Sequence, residues 1–299
     1  MTPTSEVPMT DDANLPSGMP FVPSPRERDR LQAAVGRDLG ARYAMLGYLG
    51  CGAYATVWAA RDRVTDDLLA VKRLEARPGR ARGFYRELSA MFRLSHPRIV
   101  RLINLLETPD GPRYLFLEHC GGGSLRDALL RTRRAGQELA PRRAAVLARQ
   151  LAEGLAEAHR IGLAHRDLKP ENVLFDGTDD SAAVKLADFG LALALQRAGM
   201  AGAAGLSGTP IYMAPEQFAG RCLAASDVYA LGILLYEMLH GRPPFTGAPE
   251  ELARQHLHLA PAIAEDLPAP WRAVLHRLLE KEPGQRPTAR ELLDLLPGA

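Results

Sequence analysis

The chain has 299 residues, of which 46% are hydrophobic and 24% charged, so it can bury a sizeable core as one large domain or as two lobes. Its 37 basic and 35 acidic residues nearly cancel, and this balance gives no reason to expect a protein that binds nucleic acid or anionic membranes. Three cysteines are too few for a disulfide framework, so we expect a reducing, cytoplasmic setting.

The first 24 residues are rich in Pro, Ser, Thr, Asp and Gly and lack a hydrophobic period, which predicts a disordered extension over residues 1–24. They contain no basic segment followed by an apolar one, so we expect no signal peptide. Residues 25–42 carry apolar side chains at Leu31, Val35 and Leu39, a spacing that predicts a short amphipathic helix or linker.

Five strand-like segments and one helical segment come next. In chain order they are YAMLGYLG, ATVWAARD, LLAVKRL, the helical FYRELSAMFRLS, RLINLLE and YLFLEH. After residues 121–123 the hydrophobic period becomes helical, and its most apolar run, 228–239, is typical of a buried core helix too short to span a bilayer. A small strand-rich unit followed by a larger helical unit predicts two lobes with a ligand cleft between them.

Small residues separate the first two predicted strands, at Gly50, Gly52 and Ala55. Glycines allow backbone N–H groups to approach phosphates closely, but a glycine-rich hairpin turn explains them about equally well. Lys72 ends the third predicted strand, in a chain with only four lysines. Because a strand lysine is usually a solubilising surface residue, neither signal is specific by itself.

The stretch LAHRDLKPENVLF, residues 163–175, concentrates polar side chains between apolar flanks, and Asp188 follows another apolar strand thirteen residues later. Asn172 and Asp188, at adjacent strand ends, form an oxygen pair suited to a hard divalent cation such as Mg²⁺. Asp167 remains available to accept a proton. A satisfied polar turn is the alternative, and it accounts poorly for this combination.

Five motifs occur in the order found in protein kinases, and together they resemble the signature set of that family. They are Gly50-x-Gly52-x-x-Ala55-x-Val57, Ala70-Val71-Lys72, His165-Arg166-Asp167 with Asn172, Asp188-Phe189-Gly190 and Ala214-Pro215-Glu216. The resemblance runs from about Tyr43 to Leu296, and the chain is similar to bacterial Hanks-type serine/threonine kinases.

The resemblance implies an α+β, bilobal kinase-like fold, with a kinase domain over residues 43–299. Its N-lobe, 43–118, would hold a small antiparallel sheet and one main helix. Its C-lobe, 125–299, would be larger and mainly helical, and residues 118–124 would form the hinge.

The resemblance also implies catalytic roles for Lys72, Glu87, Asp167 and Lys169. Lys72 would hold the α- and β-phosphates and pair with Glu87, while Lys169 would steady the transferring phosphoryl group. Asp167 would orient the substrate hydroxyl and accept its proton, and Asp227 would brace the backbone of this catalytic loop. The interval between Lys72 and Glu87 is shorter than usual in the family, so we expect the helix that carries Glu87 to begin late.

ATP with Mg²⁺, or with Mn²⁺ in its place, is the implied cofactor. Glu118 and Cys120 would offer hinge backbone groups to the adenine, behind Leu117 as gatekeeper. The metal ion would be ligated by Asn172 and Asp188. The implied nucleotide contacts are Leu49, Gly50, Cys51, Gly52, Ala55, Val57, Ala70, Lys72, Leu117, Glu118, Cys120, Leu174 and Asp188.

Lys169 after HRDL and Thr209 in SGTP resemble serine/threonine kinases and not tyrosine kinases, so the implied substrates are Ser and Thr hydroxyls of proteins. A nucleotide-binding pseudokinase or scaffold is one alternative, which the retention of every catalytic position disfavours. A small-molecule phosphotransferase is another, which Thr209 and the APE motif disfavour. Glu216 of that motif would pair with Arg286. Neither a nucleic-acid partner nor a membrane span is expected.

In that family the segment between the DFG and APE motifs is the activation segment, where a hydroxyl usually accepts a phosphate. Here Gly205 stands four residues before Thr209, and Leu193 occupies a position that is often basic. Ser207 is the only hydroxyl residue left before Thr209. We therefore expect an activity that does not depend on phosphorylation at the usual position.

Two weaker signals have simpler explanations. Cys51 and Cys120 would both flank bound ATP, which suggests a redox sensor, but small residues in tight places explain them more readily. The arginine-rich residues 126–149 would either dock an acidic partner or form a solvated helical face, and the solvated face is favoured.

Overall fold

The computed structural model of the protein describes residues 23–52, 55–74, 81–108, 111–179, 182–189 and 210–298, apart from the side chains of residues 81–84 and 87. The predicted N-terminal extension, up to residue 22, lies outside this description. So do Leu193, Gly205, Ser207 and Thr209 of the predicted activation segment.

Five antiparallel strands form the N-terminal sheet, in the spatial order β1-β2-β3-β5-β4. They are β1 (Tyr43–Gly52), β2 (Ala55–Asp62), β3 (Leu68–Leu74), β4 (Leu102–Glu107) and β5 (Arg113–Glu118). Successive side chains of a strand point to opposite faces, so residues directly opposite each other share a face. Val57 pairs with Lys72, which pairs with Leu115, and these three side chains therefore share the inner face.

Helix α1 (Pro25–Leu39) covers the outer face of this sheet. It begins with a capping box, which satisfies backbone N–H groups of its first turn. Val35 and Leu39 pack in one apolar cluster with Trp58 and Phe116 of the sheet, and all four are buried. The helix is therefore part of the core of the N-lobe.

Helix α2 (Ala81–Arg93) packs on the inner face of the sheet. Leu88 and Met91 are buried in the same cluster as Leu115 of β5. The helix begins six residues before Glu87, whose side chain lies outside the described residues.

The C-lobe is mainly helical. Its helices are α3 (Leu125–Arg134), α4 (Pro141–Arg160), α5 (Pro215–Phe218), α6 (Ala224–His240), α7 (Pro249–His258), α8 (Ala269–Leu278) and α9 (Ala289–Leu295). Helix α6 is buried from residue 226 to residue 239, as expected for a helix that is apolar on all sides. This burial confirms the predicted core helix at 228–239.

A short two-stranded sheet, β6 (Val173–Phe175) and β7 (Val184–Leu186), lies next to the boundary between the lobes. Its Leu186 exchanges backbone hydrogen bonds with Arg98 and Val100 of the loop after α2, at 2.8 and 2.9 Å. One apolar cluster also runs from Leu115 in the N-lobe to α4 and α6 in the C-lobe. The predicted bilobal α+β fold is confirmed. The described part of the chain contains no helix that is both long and apolar enough to cross a membrane.

Candidate active site

The catalytic loop is held from behind by a buried carboxylate. Asp227, in the first turn of α6 and 1% exposed, accepts hydrogen bonds from the backbone N–H groups of His165 at 2.8 Å and Arg166 at 2.7 Å. The Nε2 atom of His159 lies 2.8 Å from the same carboxylate. Arg166 has a φ of 72°, a conformation that costs a residue with a Cβ about 1–3 kcal/mol. The two backbone bonds hold that conformation, and the predicted brace is confirmed.

Two polar side chains of the loop meet at the Asp167 carboxylate. The Lys169 Nζ atom lies 2.8 Å from Asp167 Oδ2. Asn172 donates through Nδ2 to the Asp167 backbone carbonyl at 2.8 Å and to Oδ2 at 3.3 Å. An ammonium and an amide therefore fix the orientation of this carboxylate, whose side chain is 17% exposed. A carboxylate held in this way can accept a hydrogen bond, and then a proton, from an incoming hydroxyl.

An ion pair joins the two lobes across the cleft. Lys72 in β3 donates through Nζ to Asp188 Oδ2 at 2.7 Å. Burial alone raises the pKa of the Asp188 carboxyl, but the charge of Lys72 and its hydrogen bond outweigh burial, and the pKa lies below its ordinary value. Asp188 is therefore ionised at neutral pH.

The ion pair and the Asp167 cluster lie next to each other. The backbone N–H of Ala187 donates to the carbonyl of Asn172 at 2.8 Å, which sets the residue before Asp188 against the catalytic loop. The charge of Lys169 also contributes to the lowered pKa of Asp188. The structure thus brings Lys72 and Asp188 into the same part of the cleft as Asp167 and its two partners, Lys169 and Asn172.

The donor atoms at this position suit a hard divalent cation. Asn172 commits its amide nitrogen to Asp167, which leaves the amide oxygen as the atom that can face a cation, and Asp188 supplies an ionised carboxylate. No group of three or more His, Cys, Asp and Glu side chains in the described ranges could hold a metal by itself. Mg²⁺ is typically held by one or two protein oxygens together with phosphates and water, and the residues here fit that pattern.

The inner face of the N-terminal sheet presents several predicted nucleotide contacts together. Gly50 lies opposite Val57, Val57 opposite Lys72, and Ala70 opposite Leu117. Since Ala70 and Lys72 are two positions apart on β3, all five belong to the face that α1 leaves uncovered.

The end of β1 carries the remaining predicted phosphate-loop residues. A Cβ placed on Gly50 or Gly52 would meet no atom within 4 Å, so open space adjoins both backbones. Leu49 is 49% exposed, and Cys51 is half-buried. Ala55 begins β2, directly after residues 53–54, which lie outside the described residues. Leu174, on the C-lobe side, forms a β-bridge with Ser124, the last residue of the predicted hinge.

The predicted hinge is tied to the C-lobe by a residue to which the sequence analysis gave no role. Lys185 in β7 forms a short ion pair with Glu118, and its Nζ atom lies 3.3 Å from Asp176. The scarcity of lysine is the signal that points to this position.

Burial, and then the charge of Glu118, raises the pKa of Cys120 to about 12, so its thiol stays protonated at neutral pH and is a poor redox sensor.

A second buried ion pair supports the site from the C-lobe. Arg286 donates to the two carboxylate oxygens of Glu216 at 2.7 and 2.9 Å, and both side chains are at most 1% exposed. Ser226 also donates to Glu216, at 2.6 Å. Burial opposes ionisation of Glu216, but these bonds outweigh it and its pKa lies below the ordinary value. The predicted pair is confirmed.

Comparison with known proteins agrees with this geometry. The protein kinase domain family matches residues 43–295. The serine/threonine-protein kinase PkaA of Streptomyces coelicolor is 36% identical over 286 residues, covering 86% of this chain and 49% of the relative. PknB of Mycobacterium tuberculosis is 37% identical over 270 residues, covering 85% and 42%. The kinase pkn2 of Myxococcus xanthus is 35% identical over 278 residues, covering 87% and 33%.

The chain thus spans half or less of the length of these curated relatives. The match nevertheless covers nearly all of the fold described above, from β1 to α9. The chain belongs to the protein kinase family and, within it, to the bacterial Hanks-type serine/threonine kinases.

Proposed function

We propose that this chain transfers the γ-phosphate of ATP to Ser and Thr hydroxyls of protein substrates. The observation that carries the proposal is the convergence of Lys169 and Asn172 on Asp167, next to the Lys72–Asp188 ion pair. Membership of the protein kinase family implies the use of ATP and a divalent cation. We propose Mg²⁺ as that cation, with Mn²⁺ able to take its place, because the available protein donors are oxygens.

ATP and its cation, when bound, supply the transferable phosphoryl group and neutralise part of its charge. Asn172 and Asp188 would hold the cation. Lys72 would hold the α- and β-phosphates, and Glu87 on α2 would pair with Lys72. The inner face of the N-terminal sheet would cover the nucleotide, with Leu117, Glu118 and Cys120 at the adenine.

The catalytic loop would act on the substrate hydroxyl. Asp167 would orient that hydroxyl and accept its proton, a contribution of ~10²–10⁴-fold in rate. Lys169, already in contact with Asp167, would stabilise negative charge on the transferring phosphoryl group. Most of the acceleration would come from positioning and charge neutralisation by groups that the fold holds in place.

Asp167→Asn tests this assignment. We expect the variant to lose at least ~10²-fold in kcat for phosphorylation of a generic protein, because an amide cannot accept the proton. Nucleotide binding, measured by calorimetry, should stay within about threefold. Asp66→Asn is the matched control, since Asp66 is 83% exposed and its φ of 63° suits asparagine.

Three outcomes would contradict the proposal. Unchanged kcat in Asp167→Asn would remove Asp167 from the chemistry. Nucleotide binding by the wild type without transfer to any acceptor would favour the pseudokinase or scaffold. Transfer to a small molecule but to no protein would favour a small-molecule phosphotransferase.

A further inference from the structure

Arg126, the second residue of α3, connects three separate elements at the edge of the cleft. Its Nε atom donates to Glu171 at 2.8 Å, its Nη1 atom to Glu237 at 2.7 Å, and its Nη2 atom to the Tyr212 hydroxyl at 2.5 Å. The Tyr212 hydroxyl donates in turn to the second oxygen of Glu237, at 2.6 Å. The preference for a solvated face over residues 126–149 is therefore wrong for Arg126.

This network adjoins the place where a substrate hydroxyl would reach Asp167. Glu171 lies in the same loop, four positions after Asp167, so their Cα atoms are at most about 14 Å apart, the length of four extended residues. Tyr212 lies in the segment that leads to α5, and Gln217 of α5 donates to the Arg166 carbonyl of the same loop at 3.1 Å. A peptide that presents its hydroxyl to Asp167 therefore has neighbouring side chains within reach of Glu171.

The two carboxylates of this network would otherwise form an acidic pocket. Glu171 is 47% exposed and can face a bound peptide, whereas Glu237 is 7% exposed and lies deeper. Buried carboxylates are costly unless a cation or donors pair with them. Arg126 supplies that cation from within the chain, and its planar guanidinium contacts both carboxylates at once.

We propose that Arg126 occupies this acidic pocket as a built-in cation, so that the enzyme does not select substrates with arginine or lysine beside the phosphorylated residue. A basic substrate side chain would meet carboxylates that already accept guanidinium hydrogen bonds, and a like charge next to them. Neutral or acidic flanking residues meet no such repulsion. This inference about substrate class rests on the proposed kinase function.

Arg126→Gln tests the proposal, with a peptide library in which each position around a central Ser is varied. The wild type should phosphorylate peptides with flanking Arg at no more than about threefold the rate of those with Ala. Arg126→Gln should gain at least a tenfold preference in kcat/KM for Arg at one position, mainly through a lower KM. Arg131→Gln, an exposed change on the same helix, should leave the preference unaltered.

Adding Glu171→Gln to Arg126→Gln should abolish the new preference, and Arg126→Lys should resemble the wild type. If Arg126→Gln folds poorly, Glu171→Gln alone keeps the test decisive. Glu171→Gln alone, at a half-exposed position, should leave the wild-type indifference to basic residues in place. A strong wild-type preference for Arg that Glu171→Gln removes would overturn the proposal.

Peptide affinity separates this inference from the proposed function. Fluorescence anisotropy of labelled Arg- and Ala-containing peptides, without ATP, should show tighter binding of the Arg peptide to Arg126→Gln only. This measurement needs no catalysis, so a chain without kinase activity would still support or contradict the role of Arg126. Equal affinities in Arg126→Gln and the wild type would overturn it.

Discussion

Two neighbouring basic residues of the C-lobe carry buried charge in different ways. Arg286 uses all five of its N–H donors, two of its bonds going to Glu216 and the others to backbone carbonyls of residues 225, 280 and 281. Lys281 instead has its Nζ atom 5.1 Å from the ring centroid of Phe245 and 3.5 Å from the Tyr229 hydroxyl. Burial, and then the charge of Arg286, lowers the pKa of Lys281 to about 8.

We therefore expect Lys281→Met to stabilise the protein at pH 7 by up to about 3 kcal/mol, because each pKa unit of the shift corresponds to about 1.4 kcal/mol. The unfolded lysine keeps a pKa of about 10.4, so between pH 8 and 10.4 the unfolded chain binds more protons than the native protein. Raising the pH through that window stabilises the wild type, and the advantage of Lys281→Met should shrink. Urea unfolding of both proteins at pH 7 and pH 9.5 measures the difference.

Lys185→Met is the matched control, because Lys185 is a buried lysine with carboxylate partners. Burial lowers its pKa, but its bond to Glu118 outweighs burial and the pKa lies above the ordinary value. Its replacement should destabilise the protein at pH 7. A loss of stability in Lys281→Met at pH 7 would show that its charge is not a cost to the fold.

At the scale of elements, helix α1 completes the N-lobe. Its apolar side chains pack on the outer face of the sheet. The alternate residues of the same strands face the cleft. The Tyr114 hydroxyl of β5 also donates a short hydrogen bond to Asp38 of α1. The position of the inner, cleft-facing side of the sheet therefore depends on packing against α1 on the outer side.

Leu39→Ala should lower the free energy of unfolding by about 2–5 kcal/mol, since it removes a side chain that is 6% exposed and leaves a cavity. Leu46→Ala is the matched control on β1, where the leucine is 53% exposed, and it should change stability by less than about 0.5 kcal/mol. Denaturant titration measures both changes. Equal effects of the two substitutions would mean that α1 does not pack in solution as described.

Elements and motifs were predictable from the sequence where the information is local. Hydrophobic periods of two and of 3.6 residues separate the strands of the N-lobe from the helices of the C-lobe. Lys72, Asp167 and Asp188 were identifiable because each lies within a short motif of distinctive composition. Such motifs consist of residues close together in the chain, so they can be recognised without knowledge of the fold.

Pairing between distant residues was not predictable in the same way. Arg126 contacts partners 45 and 111 residues away, and Lys185 contacts Glu118 at a separation of 67 residues. Only the tertiary fold brings such side chains together, and a single sequence carries no periodic signal for them. Glu216 with Arg286 was the exception, because both belong to recognisable motifs.

At the scale of the whole molecule, the described cleft is held together by the chain's own side chains. One apolar cluster runs through both lobes, Lys72 and Asp188 join them, and Asp227 fixes the catalytic loop. A phosphate added to the predicted activation segment would have to stabilise the cleft further than these contacts already do. The Gly- and Ala-rich composition of residues 198–205 offers no hydroxyl to carry one.

We therefore expect Ser207→Ala to retain at least half of the wild-type kcat. The reason is that Ser207 is the only hydroxyl residue between the DFG motif and Thr209, and the usual acceptor position is Gly205. Mass spectrometry of the purified protein, with and without ATP, would locate any phosphate. Near-complete loss of activity in Ser207→Ala, together with phosphate on Ser207, would refute this expectation.

The covering of the N-terminal sheet by α1 also limits how other molecules can approach the protein. The large aromatic side chains on that side are sealed beneath the helix, and what faces solvent is a mixed set of charges. These exposed residues are Arg26, Asp29, Arg30, Arg37 and Asp38. An assembly that used this side would thus have to form through salt-sensitive polar contacts, and high ionic strength should weaken it.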